Sequence, residues 1–188
     1  MEKGETLVLI TPLLLEKEPL ELDKKLPALD YAPDVRQVGA LAVNGRAELL
    51  AEHRGPREIV HDIRLRAKYS GDFEVLCARC VDPVSQHIEG EFDLLFRPTG
   101  IDGEPGERSI SEAETEIGYY EESGLVLEDV VREQVLLSLP GRTLCREDCK
   151  GLCPRCGQNL NQGSCDCEDR TVDPRWNALA DLASRMKS

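Results

Sequence analysis

The chain has 188 residues, 40% of them apolar and 4% aromatic, with a formal charge of −13. That is room for one domain with an aliphatic core plus an appendage, and it excludes a transmembrane helix, because no apolar run approaches the roughly twenty residues a span needs. So acidic a chain is repelled by phosphate at long range, and any nucleic-acid contact has to be made locally.

Residues 7–15, LVLITPLLL, are apolar but broken by Pro12, and the only cation before them is Lys3, beside Glu2 and Glu5. They make a poor secretory signal and read as a first strand over 6–10 followed by a loop. The expected location is cytoplasmic. A Pro- and Asp-containing loop over 26–35 follows. From Val38 to Pro98 strand follows strand, with turn punctuation at Asn44-Gly45, Gly55-Pro56, Ser70-Gly71-Asp72 and Asp82-Pro83. Asn-Gly is a strong hairpin signal, so the spacing predicts an antiparallel meander of four or five strands.

Two of these segments alternate with period two. In 59–69, Ile59, Ile63, Leu65, Ala67 and Tyr69 share a face opposite Arg64, Arg66 and Lys68; in 87–97, Ile88, Phe92, Leu94 and Phe96 oppose Glu89, Glu91 and Asp93. The basic row could meet an RNA backbone. The better reading is a cross-strand ladder with the acidic row. Between the two lies Cys77-Ala78-Arg79-Cys80, directly before the Asp82-Pro83 turn. One C-x2-C is half a zinc site. It is also a thioredoxin-like spacing, but redox motifs of that kind open a helix, which Pro83 and the next strand oppose. The pair could join the C-terminal cysteines or stay as packed thiols in the turn.

Residues 99–124 are rich in Gly and Glu and read as a solvated acidic loop, with a strand over 116–120. Leu125 to Leu127 reads as a short strand. Glu128 to Leu139 reads as a helix with Val130, Val131, Val135 and Leu139 inward, stopped by Pro140. Next comes CREDCKGLCPRCGQNLNQGSCDC, residues 145–167, which holds six of the eight cysteines. Cys153-Pro154-Arg155-Cys156-Gly157 has the form of a zinc knuckle: two thiolates bracket a tight turn and the glycine lets the backbone pass beneath the metal. A structural zinc takes four ligands, and a segment so poor in apolar side chains draws its folding energy from the metal. Disulfides are the weaker alternative, since cytosolic thiols stay reduced. Cys153 and Cys156 are the firmest pair. Cys145 and Cys149, or Cys165 and Cys167, or a mixture, could complete the site, so all six are carried as ligands of about one zinc per chain. Asp173-Pro174 then caps a last helix over 174–186, with Trp176, Leu179, Leu182, Ala183 and Met186 on one stripe.

The charge divides unevenly. From Gly141 onward eight Lys/Arg face seven Asp/Glu, whereas the first 140 residues hold fifteen against twenty-nine. The expected fold is α+β: an antiparallel, barrel-like β-sheet body over 1–140, closed by the helix, then a cysteine-rich zinc lobe and C-terminal helix over 141–188. No phosphate-cradling loop, G-x-S-x-G or H-E-x-x-H motif is present. His53, His61 and His87 sit in strands, where structural histidines are commoner than catalysts. No catalytic residue is assigned.

Taken together, Cys77-x-Arg79-Cys80 after a strand, LEDVVREQVLLSLP (127–140), LCREDCKGLCPRCGQNLN (144–161) and Asp173-Pro174-Arg175-Trp176 resemble the YceD family of bacterial and plastid proteins. The resemblance implies a non-catalytic role in accumulation, processing or stability of large-subunit ribosomal RNA, and a gene neighbourhood beside a large-subunit ribosomal protein. Members without the C-terminal cysteine cluster imply that zinc serves stability rather than the shared function. The expected partners are large-subunit ribosomal RNA or a pre-large-subunit particle, met locally by Arg142, Arg146, Lys150 and Arg155, and a basic ribosomal protein on the acidic body; no membrane and no DNA are expected. The reading from another class is a thiol redox protein using Cys77 and Cys80.

Overall fold

The computed structural model describes residues 7–53, 59–101, 117–121 and 123–167. A two-residue strand β1 (Leu9–Ile10) and a helical turn α1 (Pro12–Leu15) lead into β2 (Leu20–Leu26). Three long strands follow, β3 (Val35–His53), β4 (Ile59–Leu76) and β5 (Pro83–Pro98), then β6 (Ile117–Tyr120), β7 (Leu125–Val126) and the helix α2 (Leu127–Ser138). The main sheet runs β2-β3-β4-β5-β6; its first three pairings are antiparallel, while β6 joins β5 parallel, and β1 pairs separately with β7.

Alternation along β4 and β5 decides which face is inside. Ile63 stands opposite Phe96, Leu65 opposite Leu94 and Ala67 opposite Phe92, and with Leu41, Val43, Tyr69 and Phe73 they form the core. The helix α2 lays Leu127, Val130, Val131 and Val135 onto this face, and the Tyr69 hydroxyl donates to the Gln134 carbonyl at 3.0 Å. At the start of α2 the Glu128 carboxylate accepts the Val8 N–H with both oxygens at 3.0 Å. That contact ties the N-terminal segment to the helix end where negative charge is favoured.

The opposite face of the sheet is polar. Arg64 makes two hydrogen bonds to Asp93 (2.8 and 2.6 Å), Arg66 bonds Glu48 (2.9 Å), Lys68 pairs with Glu91 (3.3 Å) and Arg46 reaches Glu21 (3.3 Å). The expected ladder is present at Arg64–Asp93 and Lys68–Glu91, whereas Arg66 turns to Glu48 of β3, so the basic row is occupied by carboxylates.

The barrel-like α+β expectation is overturned: strands dominate and the sheet is open. Its edges, β2 and the four-residue β6, do not pair with each other among the described residues. With α2 and the N-terminal segment covering the apolar face, a two-layer arrangement buries it without the sheet having to close on itself. Two turn assignments fail as well. Asn44 and Gly45 lie inside β3, opposite Lys68 and Ala67, and a Cβ on Gly45 would stand 2.2 Å from the Arg66 carbonyl oxygen. The glycine there permits close strand approach rather than a turn. Ser70-Gly71-Asp72 likewise lies inside β4, so the expected four or five short strands from Val38 onward are three long ones. β2 forms ahead of the expected 26–35 loop, with Leu22 and Leu26 on its buried side. The Gly55-Pro56 turn, most of the acidic loop over 99–124 and the helix over 174–186 lie outside the described residues.

Candidate metal centres

The turn between β4 and β5 carries Cys77 and Cys80. Residues 143–149 run back to it: the Ala78 N–H donates to the Thr143 carbonyl at 2.8 Å and the Cys145 N–H to the Cys77 sulfur at 3.4 Å. This brings Cys77, Cys80, Cys145 and Cys149 together, their sulfurs all within 4.8 Å of one another. Cys77 and Cys149 are 3.8 Å apart, Cys80 and Cys145 3.6 Å. Four thiolates bound tetrahedrally at about 2.3 Å from a zinc stand about 3.8 Å apart, whereas a disulfide brings sulfurs to about 2.0 Å. All eight cysteines are free of disulfides, and two sulfur pairs of this inner group have the separation a tetrahedral site needs, so the group could hold a metal ion. Its three buried members, Cys77, Cys80 and Cys149, also close a satellite core with Val84 and Leu144.

Cys153, Cys156, Cys165 and Cys167 form a second, more exposed group with the same sulfur proximity. The two C-x2-C turns share one backbone design. Val81 N–H donates to the Cys77 carbonyl and Gly157 N–H to the Cys153 carbonyl, both at 2.9 Å. Cys77 N–H donates to Asp82 O at 2.9 Å and Cys153 N–H to Gln158 O at 2.8 Å. The residue after each second cysteine is left-handed, Val81 at φ 63° and Gly157 at φ 75°. Val81 is the only non-glycine residue with positive φ among the described residues, a costly conformation for a β-branched side chain. In both turns the first thiol is acidified to about 6, because backbone N–H groups, led by that of the second cysteine, converge on its sulfur. Cys149 is also lowered, chiefly by the Asn161 side-chain amide, 3.2 Å from its sulfur.

The six C-terminal cysteines therefore divide. Cys145 and Cys149 join Cys77 and Cys80, and the other four stand together. The described residues offer two four-thiol groups where the spacing suggested one ligand set. Sequence reasoning missed Arg79, Asp82, Asn159 and Asn161, which link the groups. Arg79 donates to the Glu147 and Cys149 carbonyls (3.2 and 2.9 Å), and Asn159 bonds Asp82 at 2.9 Å. The repeated C-x-R-C was the available signal.

Of the four lobe cations, Arg146 bonds Asn161 at 2.8 Å and lies 3.5 Å from Asp148. Arg142, Lys150 and Arg155 are exposed and their side chains form no ion pair among the described residues. A Ser70–His87–Asp72 chain, with contacts of 3.2 and 2.7 Å, lies on the open sheet face. Ser70 belongs to a strand paired on both sides, to Ala42 and Glu89, so strand pairing rather than an oxyanion site surrounds it.

A family model described as large ribosomal RNA subunit accumulation protein YceD matches residues 65–183, a stretch that contains all eight cysteines. The chain belongs to the YceD family. Among curated proteins, this YceD-family chain is 34% identical over 107 residues to an uncharacterized protein of Mycobacterium tuberculosis, a match covering 56% of the chain and 48% of the relative. It is 30% identical to one of Mycobacterium leprae, covering 56% and 46%. It is 25% identical over 132 residues to the chloroplastic large ribosomal RNA subunit accumulation protein YCED homolog 1 of Arabidopsis thaliana, covering 59% and 41%. The matched region thus spans less than half the length of these relatives. No solved structure matches the YceD-family chain. Among the described residues no helix is long and apolar enough to cross a membrane.

Proposed function

We propose that the chain is a non-catalytic assembly factor that supports accumulation, processing or stability of large-subunit ribosomal RNA, with zinc held by both cysteine groups. Zinc suits sites made wholly of thiolates at tetrahedral spacing. Cys77, Cys80, Cys145 and Cys149 would hold one ion, and Cys153, Cys156, Cys165 and Cys167 the other. The ions supply folding energy for a lobe with few apolar side chains.

The observation that carries the mechanism is the distribution of free cations. On the sheet, Arg46, Arg64, Arg66 and Lys68 are engaged by carboxylates, and the exposed Lys24 and Lys25 of β2 follow the acidic Glu21 and Asp23, so the sheet offers phosphate less than the lobe does. In the lobe, Arg142, Lys150 and Arg155 are exposed and unpaired among the described residues. The lobe is the surface for local phosphate contact, and the acidic body is left to meet a basic ribosomal protein. Charge reversal of Arg142, Lys150 and Arg155 is expected to remove the chain from pre-large-subunit particles in sedimentation. Its salt slope is expected to fall by about one for each phosphate no longer neutralised. Arg64→Gln with Arg66→Gln is expected to leave both unchanged. Particle binding that survives the lobe reversal would refute the placement.

The acidified Cys77 thiol favours the thiol redox reading as the second candidate. Cys77 stands in a metal-like group of four thiols rather than at a helix N-terminus. A Cys77→Ser, Cys80→Ser pair is expected to show the same background insulin reduction as the parent chain; a parent activity abolished in that pair would restore the redox reading.

A further inference from the structure

The segment between the two cysteine groups does more than connect them. It leaves the inner group at Cys149, turns at Gly151 (φ 78°), and passes Leu152, whose N–H donates to the Arg79 carbonyl at 3.0 Å. It then forms the outer knuckle over 153–158 and returns antiparallel, with Leu152 bridged to Asn159 and the Leu160 N–H on the Gly151 carbonyl at 2.9 Å. The returning arm puts Asn159 and Asn161 against the inner group. The Asn161 amide nitrogen lies 3.2 Å from the Cys149 sulfur. Its oxygen accepts the Lys150 N–H and the Arg146 guanidinium, both at 2.8 Å. Its own backbone N–H donates to Asn159 Oδ1 at 3.0 Å. Asn159 Nδ2 in turn holds Asp82 Oδ2 at 2.9 Å, and that oxygen lies 3.3 Å from the Cys80 sulfur. The outer knuckle thus sets an amide donor on the Cys149 sulfur and, through Asn159, fixes Asp82, which accepts from Cys80 only while that residue is a protonated thiol.

We infer that the two centres load metal cooperatively, with Asn159 and Asn161 as positioning residues that transmit closure of the outer knuckle to the inner thiolates. The inference rests on zinc occupying both groups. Its basis is geometric: the inner group is drawn from the β4–β5 turn and residues 145–149, and its hydrogen-bonded surround comes from the outer hairpin. Outer-sphere partners of this kind hold ligands in place, and their removal costs roughly 10–100-fold in metal affinity. Linkage is reciprocal, so an occupied inner centre tightens the outer one by the same factor.

The test uses the full chain loaded with zinc and stripped by graded chelator, with zinc release followed against stoichiometry. The parent chain is expected to release two zinc ions in one cooperative step. Cys153→Ser with Cys156→Ser, which removes the outer centre, is expected to weaken the remaining inner zinc by about tenfold or more. Asn161→Asp keeps the oxygen that holds Lys150 and Arg146 and removes the donor on Cys149. It is expected to keep two zinc ions but to weaken the inner one by a similar factor. In the cobalt-loaded protein it is expected to shift the thiolate-to-metal charge-transfer band, which a purely scaffolding role would leave in place. Two ions released independently, with inner affinity indifferent to both sets of substitutions, would overturn the coupling while leaving the zinc reading intact. A chain that takes up no zinc at either group would overturn both.

Discussion

The matched knuckles make a quantitative prediction about backbone strain. Gly157 and Val81 occupy the same place in two turns with the same hydrogen bonds, both at positive φ. A Cβ added at Gly157 meets nothing within 4 Å, so the cost of Gly157→Ala is conformational alone. An L-residue in the left-handed region costs about 1–2 kcal/mol, and the stiffer unfolded chain returns about 0.4–1 kcal/mol. The difference leaves a net cost of roughly 1 kcal/mol. With zinc in the lobe as proposed, metal binding would supply its folding energy, and this cost would emerge as about a fivefold drop in zinc affinity at 1.4 kcal/mol per tenfold. Val81→Gly works in the opposite direction. Its relief is partly cancelled by the added freedom of glycine, about 0.5–1 kcal/mol, and Val81 is half exposed, so little packing is given up. A gain of about twofold in zinc affinity is expected at this site. Both variants are measured by chelator competition on the zinc-loaded full chain at fixed pH. An unchanged affinity in Gly157→Ala, or a shift of both variants in the same direction, would refute the assignment of strain to this position.

Phe73 is fully buried and packs edge-on against Tyr31, ring centroids 5.4 Å apart; Phe73→Ala is expected to cost about 3–5 kcal/mol in urea unfolding. Arg64→Gln breaks an exposed, solvent-screened pair with Asp93 and is expected to leave the urea midpoint close to that of the parent in the same assay. Burial raises the Tyr31 hydroxyl from 10.0 to about 12, so the folded chain keeps a proton that the unfolded chain releases first. That contribution is complete below about pH 10 and is lost as pH rises towards 12. In pH-dependent unfolding, Tyr31→Phe is expected to show a shallower decline over that window than the parent.

The local pattern of the sequence determined much of this protein. Period-two alternation in 63–69 and 87–97 assigned the core face and the ion-pair face, because successive side chains of a strand must point to opposite sides; at the start of β4 the expected Ile59 is exposed and Val60 is buried instead. The 3.6-residue period and Pro140 assigned α2. Thiol density and the CPRCG turn pointed to metal, since so many reduced cysteines in so short a run have few other uses. The tertiary structure decided what depends on residues distant in the chain. Whether a sheet closes is set by what covers its apolar face, and here α2 and the N-terminal segment leave β2 and β6 as open edges. Asn44-Gly45 has turn chemistry, but its place in β3 follows from the close approach of β4. The division of the cysteines was beyond spacing for the same reason. Cys77 and Cys145 are 68 residues apart in sequence, and their meeting depends on where the β4–β5 turn and the end of α2 bring the chain. Asn159 and Asn161 have turn chemistry in one dimension. They acquire a second role because the outer knuckle folds them back against a centre whose other half comes from the sheet.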